Sequence, residues 1–533
     1  MTLHRVYRKS GLVRQLDARD VFLINTFGYA LGIALTINPG LIGGFSPSAN
    51  IHIVLTLGLV AALFNGFTYG LFASVMPKTG GDFIYVTTSL GRWIGFLASF
   101  GFTAAQLYGF ALNSFWAFKQ GLAPALATYG MVQGRAEIVR AATFVGTDRT
   151  SMYLGLGLMI LLFLISLFGL GLSKQLLVVS FLAGLCGPVF QLYAFFSVDH
   201  KTFIALYNNF ITSQHLTGLD YQSVIAAGRA QHLLPDAGRM LPESLKALPL
   251  GFLTFLGFTY SAYMGSEVRE ASKSQLKGIL WALACGAGFF YFGMGRYYHV
   301  VGNDFNAAIS ANSLNFPSGN SLAFFAGIIL RNPAANAVMN IGNLLWFILV
   351  PFVILQVCSR NIQVWSVEYV FPRFIAGTNR YEAPAAAAFV ALLAGVGFLL
   401  LAELVLHNTN PIGAVALSAL SILLSGVSAI IYSGRLKARS HLEKRSLLFN
   451  PRAFRFFGWG TAIVFGWVTV AAALFPAISG LTTGGEWPVV VKIIIGVYGL
   501  GSMIFYGYRR ILISQLKNEG LTLEEIWGHL LDE

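Results

Sequence analysis

The chain consists mainly of long apolar runs separated by short polar segments. About twelve runs reach the roughly 20 residues that a helix needs to cross a membrane, and they lie at 21–42, 51–75, 93–118, 151–172, 175–198, 247–266, 278–301, 335–358, 384–406, 411–433, 456–479 and 487–508. The runs are continuous and do not alternate with polar residues, so they predict helices rather than strands. The pattern therefore predicts an all-α integral membrane protein with about twelve transmembrane helices.

The composition supports the same conclusion. Hydrophobic residues make up 56% of the 533 residues and charged residues only 11%, whereas about 25% of the residues in soluble domains are charged. A water-soluble fold could not bury so much apolar surface, so the protein is predicted to lie in a lipid bilayer, which is its first predicted partner. The three cysteines form no Cys-x-x-Cys pair, which indicates neither a disulfide framework nor a metal site, and no cofactor is expected.

Lysine and arginine are distributed unevenly between alternate connecting segments. The formal net charge is +13, and the densest basic segments include 1–20 and 434–456, which fall on the same predicted side. Basic loops remain in the cytoplasm, so this pattern predicts a multi-pass protein of the plasma membrane with both termini inside. The basic excess then indicates topology, and nucleic acid is not a predicted partner.

Three connecting segments on the opposite, outer side are long. They cover 119–150, 199–246 and 302–334. The second of them mixes proline, glycine and polar residues, and its stretch Tyr221–Gly228 is compatible with a surface helix. No soluble domain is indicated in any of the three.

Two of the apolar runs contain residues that weaken a helix in mid-membrane. The first run has Gly28 and Gly32 at the Gly-x-x-x-Gly spacing, which is equally typical of close helix packing. The sixth run has Gly257 followed by Thr259, Tyr260 and a serine, although such hydroxyls can also bond to their own helix. Breaks at corresponding positions of two halves are typical of transporters, where the exposed helix ends bind the ligand.

Several motifs resemble those of the amino acid–polyamine–organocation transporter superfamily. The stretch 76–86, from Met76 to Val86, resembles the family's MPRSGGDYVYV signature after the second span. The stretch 32–39 resembles the first-span GSGIFxLP motif, and 255–258 with 267–269 resembles the sixth-span FxGFE and EVKNP motifs. The stretch 359–384 resembles the loop after the eighth span. The match covers nearly the whole chain, from about residue 20 to 524.

The resemblance implies the leucine-transporter fold, an inverted repeat in which the first and sixth helices are interrupted. The domain organisation that follows is a cytoplasmic N-terminal segment, a single transporter domain whose two repeats precede its last two helices, and a cytoplasmic tail. These parts cover 1–20, 21–508 (repeats at about 21–198 and 247–406, last two helices at about 456–508) and 509–533.

The two breaks and the resemblance together imply a substrate site at mid-membrane. The residues expected to bind substrate are Gly28, Gly32, Ile33, Ala34, Leu35, Gln106, Leu256, Gly257, Phe258, Thr259 and Tyr260. Gln106 is the one carboxamide well inside the third run, where an interhelical hydrogen bond is an equal alternative. Several positions depart from the family pattern: Ile33 and Ala34 replace the serine and second glycine of the first motif, Thr259 replaces a glutamate of the sixth, and Ala271 replaces the proline of EVKNP.

Four charged residues near the predicted inner surface are candidates for gating. Asp82 and Lys78 are expected to fix the inner loop together, with a role in gating as the sharper hypothesis. Arg360, in the predicted loop after the eighth span, is expected to pair with Glu267 or Glu270 and to hold the inner side shut.

Charged side chains are almost absent from the middle of the spans, which limits the cargo. A dicarboxylate or a polyamine would need a fixed counter-charge in the pocket, so a zwitterionic or neutral cargo is favoured. We therefore expect a secondary active transporter for amino acids or related small amines that works by alternating access. A monomer or a weak homo-oligomer is expected.

Other functions are less compatible with the sequence. A membrane enzyme would need convergent acidic or histidine residues in the spans, and no such motif is present. A transporter of a different organic solute, or a transporter-like sensor that binds ligand without flux, remains an alternative. Coupling to a proton gradient and coupling to a sodium gradient both stay open.

Overall fold

The computed structural model describes residues 12–311, 321–406, 411–438, 450–474 and 489–518. The beginning of the predicted N-terminal segment, most of the predicted C-terminal tail and part of the basic segment 434–456 lie outside the described residues. Within the described ranges the chain forms helices, turns and two isolated β-bridges, without strands.

The α-helices follow one another along the chain with short connections. In chain order they are α1 Ala18–Gly28, α2 Leu31–Phe45, α3 Ile51–Val75, α4 Asp82–Leu90, α5 Arg92–Trp116, α6 Ala123–Val132, α7 Ala136–Val145, α8 Asp148–Ser166, α9 Gly169–Gly184, α10 Cys186–Phe196, α11 His200–Ser213, α12 Tyr221–Ala230, α13 Met240–Lys246, α14 Leu248–Leu253, α15 Ala271–Val301, α16 Asn303–Ala311, α17 Leu322–Leu330, α18 Pro333–Val367, α19 Ala385–Leu400, α20 Ile412–Ala438, α21 Pro451–Leu474 and α22 Val489–Asn518. Two π-helical segments, Ala117–Leu122 and Leu401–Leu406, extend α5 and α19.

Helical segments that could cross a membrane account for most of the described chain. By length and composition there are 11 of them: Ala18–Phe45, Ile51–Val75, Arg92–Val132, Asp148–Ser166, Gly169–Phe196, Ala271–Val301, Pro333–Val367, Ala385–Leu404, Ile412–Arg435, Pro451–Ala473 and Val489–Ser514. The prediction of an all-α membrane protein with about twelve helices is confirmed. The predicted run that is not among the 11 is 247–266, because only its first part, the six-residue helix α14, is α-helical.

The spans differ in how much protein surrounds them. In the first span (Ala18–Phe45) and the eighth (Pro333–Val367), 83% and 78% of the most apolar window is buried, compared with 11% in the last span, Val489–Ser514. Large apolar side chains such as Phe292 and Met503 are exposed. Apolar surface of this extent fits a lipid environment and not water. The third span, Arg92–Val132, is also 78% buried, so the first, third and eighth spans form the centre of the bundle, where a binding site can be shielded from lipid.

The eighth span is longer than predicted. Ser359 and Arg360 were expected in a loop, but α18 continues to Val367 and includes both. Polar residues beyond position 356 made this stretch resemble a loop. In the structure they face neighbouring helices: the Asn361 amide donates to the Thr103 hydroxyl at 2.9 Å, for example. The helix is retained because its polar side chains find partners inside the protein.

The three long outer segments are also more ordered than the sequence indicated. They contain α6 and α7, then α11 to α13, then α16 and α17. The expected surface helix at Tyr221–Gly228 is present as α12. The ring of Tyr221 stacks on that of Phe305 with centroids 4.5 Å apart, which joins α12 to α16. These helices therefore pack on one another and not only on the spans.

The chain between α14 and α15 gains backbone partners from two other segments on the predicted inner side. The N-terminal segment runs beside it, with the amides of Gln15 and Leu16 both donating to the carbonyl of Glu267 at 2.9 Å. On the loop before α4, the Gly80 amide donates to the carbonyl of Tyr263 at 3.1 Å. These bonds replace those that an unbroken helix would make, which the membrane environment requires. They also fix the inner half of the sixth segment in place.

Candidate functional site

The first span is interrupted between α1 and α2. Helix α1 ends at Gly28, and Ala30 has a left-handed backbone conformation with φ of 56° before α2 begins at Leu31. The first amides of any helix lack an acceptor within the helix, and no side chain caps α2. Its N-terminus therefore presents free donors and a partial positive charge, which suit a carboxylate.

The sixth segment is interrupted more extensively. After α14 ends at Leu253, the chain forms turns and two short 3₁₀ helices, Tyr260–Tyr263 and Gly265–Glu267, before α15 begins. Residue Gly257 has φ of +102°, a conformation that side-chain-bearing residues rarely adopt. Both interruptions expected from the sequence are thus present.

The two breaks touch each other directly. A Cβ atom added to Gly28 would overlap the carbonyl oxygen of Gly257, and one added to Gly257 would overlap that of Gly28. The same test at Gly32 places the added atom against the ring of Trp346. The two glycines of the Gly-x-x-x-Gly spacing thus allow close packing, which was one of its two interpretations. The packing partner of Gly28 is the second break.

A buried amide network joins the two breaks and was not expected from the sequence. Asn25 of α1 donates to the Ser261 hydroxyl at 3.0 Å and accepts from the Ser261 amide at 2.9 Å. The Ser261 hydroxyl donates to Gln275 of α15 at 2.8 Å, and Gln275 returns a bond to the Ser261 carbonyl at 3.0 Å. On the outer side, Asn38 of α2 donates to the Thr254 hydroxyl at 3.0 Å. These residues hold the broken segments at fixed positions.

A cavity of about 100 Å³ lies beside the breaks. Its wall combines the first, third, sixth, eighth and tenth spans, and its lining residues include Gly28, Tyr29, Ala30, Ile33, Ala34, Ile37, Asn38, Ala105, Gln106, Tyr108, Gly109, Leu112, Asn113, Trp116, Leu256, Tyr260, Val350 and Ile354. The wall has no acidic, basic or histidine side chain among the residues that the structure describes. The cavity is therefore suited to a ligand without net charge.

The predicted substrate residues divide into two groups in the structure. Those that line the cavity are Gly28, Ile33, Ala34, Gln106, Leu256 and Tyr260. Those that do not are Gly32, Leu35, Gly257, Phe258 and Thr259. The second group packs instead: Leu35 contacts the position of Gly293, and Phe258 contacts Gly66. These residues shape the breaks from behind.

Gln106 and Tyr260 form the polar part of the wall. The Tyr260 hydroxyl donates to the carbonyl oxygen of Gln106, and the Gln106 amide donates to Ser418 at 3.4 Å. The ring of Tyr260 meets Phe102 edge-on at 6.4 Å. Gln106 is therefore compatible with both alternatives, because it lines the cavity and also makes interhelical hydrogen bonds.

A buried ion pair lies on the predicted inner side. The Arg360 guanidinium bonds to both carboxylate oxygens of Glu267, at 3.0 and 3.1 Å, and the two residues are only 2% and 1% exposed. Gln356 accepts from the same guanidinium. The expected pairing of Arg360 is thus with Glu267 and not with Glu270, which forms an exposed pair with Lys273 at 2.9 Å.

The expected partnership of Asp82 with Lys78 is wrong. Lys78 is exposed, whereas the carboxylate of Asp82 is fully buried and accepts from Tyr69, from Tyr263 at 2.6 Å and from Ser425 at 3.0 Å. Only three residues separate Lys78 from Asp82 in sequence, but Asp82 begins α4 and its side chain enters the bundle. The loop is fixed by hydroxyl groups.

A comparison with protein families identifies the chain. The family model described as amino acid permease matches residues 21–498. The chain belongs to this family. Membership of the amino acid permease family makes the chain a multi-pass membrane protein of a transporter family, with a small-molecule substrate and a bilayer environment. A search of curated proteins found no match.

Proposed function

We propose that the protein is a secondary active transporter of amino acids, or of related small zwitterionic or neutral amines, that works by alternating access. The observation that carries this proposal is the uncharged cavity between two broken membrane segments. Helix ends at mid-membrane supply partial charges without charged side chains, so a zwitterion can be held there without a counter-ion.

The geometry supports a specific orientation of the ligand. The free amides at the start of α2, near Ile33, would bind the carboxylate, and carbonyl oxygens at the end of α1, near Gly28, would accept from the ammonium group. The side chain of the ligand would face apolar residues of the eighth span such as Val350 and Ile354.

Alternating access requires one side of the cavity to be closed while the other opens. The buried pair of Arg360 and Glu267, with the fully buried Asp82, supports the assignment of an inner-closed state. We also keep, as parts of the proposal, the predicted cytoplasmic termini, the two repeats and a monomeric or weakly associated state.

Uptake into proteoliposomes tests this function directly. Reconstituted protein should exchange external labelled neutral amino acid for internal unlabelled substrate. Amino acids with charged side chains should compete more weakly, by more than about a hundredfold, because an unpaired buried charge costs several kcal/mol. Absence of exchange for every amine tested would contradict the proposal, and binding without flux would favour the sensor alternative.

A substitution in the cavity wall provides a second test. Gln106→Leu removes the carboxamide and leaves the Tyr260 hydroxyl without its acceptor. We expect substrate affinity to fall by about tenfold, the effect of losing one or two hydrogen bonds. The dissociation constant can be measured by the substrate-dependent shift in melting temperature. Asn65→Leu, which changes a buried amide outside the cavity wall, should leave affinity unaltered.

A further inference from the structure

Asp82 is a buried carboxylate that is held by hydroxyl groups only. It is 0% exposed and accepts hydrogen bonds from Tyr69 of α3, Tyr263 of the broken segment and Ser425 of α20. Among the described residues, no lysine, arginine or histidine nitrogen lies within ion-pair distance of it. A buried charge without a cation is costly, so this group binds a proton more readily than an ordinary aspartate does.

The titratable groups on the elements around Asp82 are tyrosines, paired charges and Arg435 of α20, whose guanidinium donates to the Thr88 carbonyl near the other end of α4. Tyr85 on the same helix donates to the carbonyl of Ala262 at 3.2 Å, and the Tyr498 hydroxyl of α22 lies 3.4 Å from that of Ser421, one turn before Ser425 on α20. The eighth span packs on Gly80 through Val364, and its nearby charge, Arg360, is bound to Glu267. Asp82 is therefore the acidic group of this cluster without an ionic partner.

The hydrogen-bond partners of Asp82 lie on three different segments, one of which is the broken sixth segment. Its partners belong to the second span, the broken sixth segment and the tenth span, so the ionised carboxylate ties three segments together at the inner side. Gly80 and Gly81 press the same loop onto the broken segment, since a Cβ on Gly81 would overlap the ring of Tyr263. Loss of the charge would weaken all three hydrogen bonds at once.

A short chain of rings separates Asp82 from the cavity. The ring of Tyr263 stacks on Phe102 with centroids 4.5 Å apart and planes inclined by 6°. Phe102 meets Tyr260 edge-on, and Tyr260 lines the cavity. Substrate at Tyr260 and a proton at Asp82 would thus both act on the same packed layer of side chains.

We propose that Asp82 is the proton-binding site that couples substrate transport to the proton gradient. The inference rests on the proposed transport function and deepens it, because it names the coupling ion. The ionised carboxylate keeps the inner side closed. A proton that enters from the outer solution together with substrate converts the Asp82 carboxylate to a neutral carboxyl group. The three hydrogen bonds from hydroxyl groups then weaken and the inner side opens. The proton leaves to the inner solution, which restores the carboxylate.

The proton affinity of the group suits this role. Burial raises the pKa of the Asp82 carboxyl to about 6, although the hydroxyls of Tyr263, Tyr69 and Ser425 act in the opposite direction. The group lies in α4, outside the candidate spans. It is charged at neutral pH and protonated below about 6, so uptake should rise as external pH falls through this range.

Proteoliposomes with an imposed pH gradient, acidic outside, test the proposal. The unsubstituted protein should accumulate substrate above the external concentration, up to about tenfold per pH unit for one proton per substrate. Asp82→Asn should only equilibrate substrate across the membrane, while still exchanging internal for external substrate at equal pH. Exchange reports the proposed transport function and accumulation reports proton coupling, so failure of one is distinguishable from failure of the other.

Two further variants separate coupling from structural damage. Asp20→Asn changes another buried carboxylate, which is paired with Lys174 at 3.2 Å, and it should retain gradient-driven accumulation. Ser425→Ala removes one donor to the charged form of Asp82, so the pH of half-maximal uptake should shift upward. Accumulation by Asp82→Asn, an unshifted profile in Ser425→Ala, or accumulation driven by sodium alone would each overturn the proposal.

Discussion

Replacing either partner of the inner ion pair, by Glu267→Gln or Arg360→Gln, is expected to abolish transport and to destabilise the protein. Each substitution leaves a charge buried without its partner, at a cost of about 3–5 kcal/mol. Both side chains are at most 2% exposed, so water cannot offset the loss. The melting temperature in detergent and the rate of substrate exchange measure the two effects.

The chain offers a matched exposed pair as a control for this prediction. Glu270 and Lys273 lie 2.9 Å apart on the same side of the molecule, with side chains 69% and 80% exposed. Glu270→Gln should change neither melting temperature nor exchange measurably, because exposed pairs contribute little.

A charge swap tests whether transport depends on the ion pair itself or on which of the two positions carries each charge. The double variant Glu267→Arg with Arg360→Glu should recover part of the transport that each single swap loses. Recovery will be incomplete, since Gln356 accepts from the native guanidinium and an acidic group there loses that bond. Folded single and double swaps with equal loss of transport would contradict a role for the pair in closing the inner side.

The breaks could be predicted from sequence because their causes are local. Glycine at position 257 adopts a φ that other residues avoid, and a run of hydroxyl residues after it competes with helical bonds. The class of fold followed from apolar runs, a signal that many residues share. These features need no knowledge of which helices are neighbours.

The contacts across the bundle could not be predicted in this way. Asn25 and Gln275 are single amides within apolar or ordinary helical sequence, and their bonds to Ser261 depend on packing between distant segments. Asp82 was assigned to the nearest cation in sequence, whereas its partners lie on three other segments. Arg360 was assigned to a loop because polar residues surround it, and burial against Glu267 reverses that interpretation.

The difference between local sequence signals and contacts across the bundle also explains which predicted substrate residues line the cavity. A motif marks the stretch of chain that breaks, so it selects residues on all sides of that stretch. Only the side that faces the third and eighth spans can meet a ligand. Ile33 and Ala34 face it, whereas Leu35 faces the seventh span at Gly293.

Gly257→Ala is expected to destabilise the protein and to abolish exchange. The left-handed region costs a residue with a side chain about 1–2 kcal/mol, and the new methyl group would also overlap the carbonyl oxygen of Gly28. Relief of that overlap must separate the two breaks, which moves Gly28 and Tyr260 in the cavity wall. Substrate exchange and melting temperature should therefore fall together.

Gly288→Ala is the matched control, because an added Cβ at Gly288 in α15 meets nothing within 4 Å. In an α-helix this change favours folding by up to about 1 kcal/mol, so melting temperature should hold or rise and exchange should persist. The contrast between the two variants isolates the contact between the breaks from any general effect of adding a methyl group. Full exchange by Gly257→Ala would show that the two breaks need not touch. That result would contradict the proposal that the cavity between them is the substrate site.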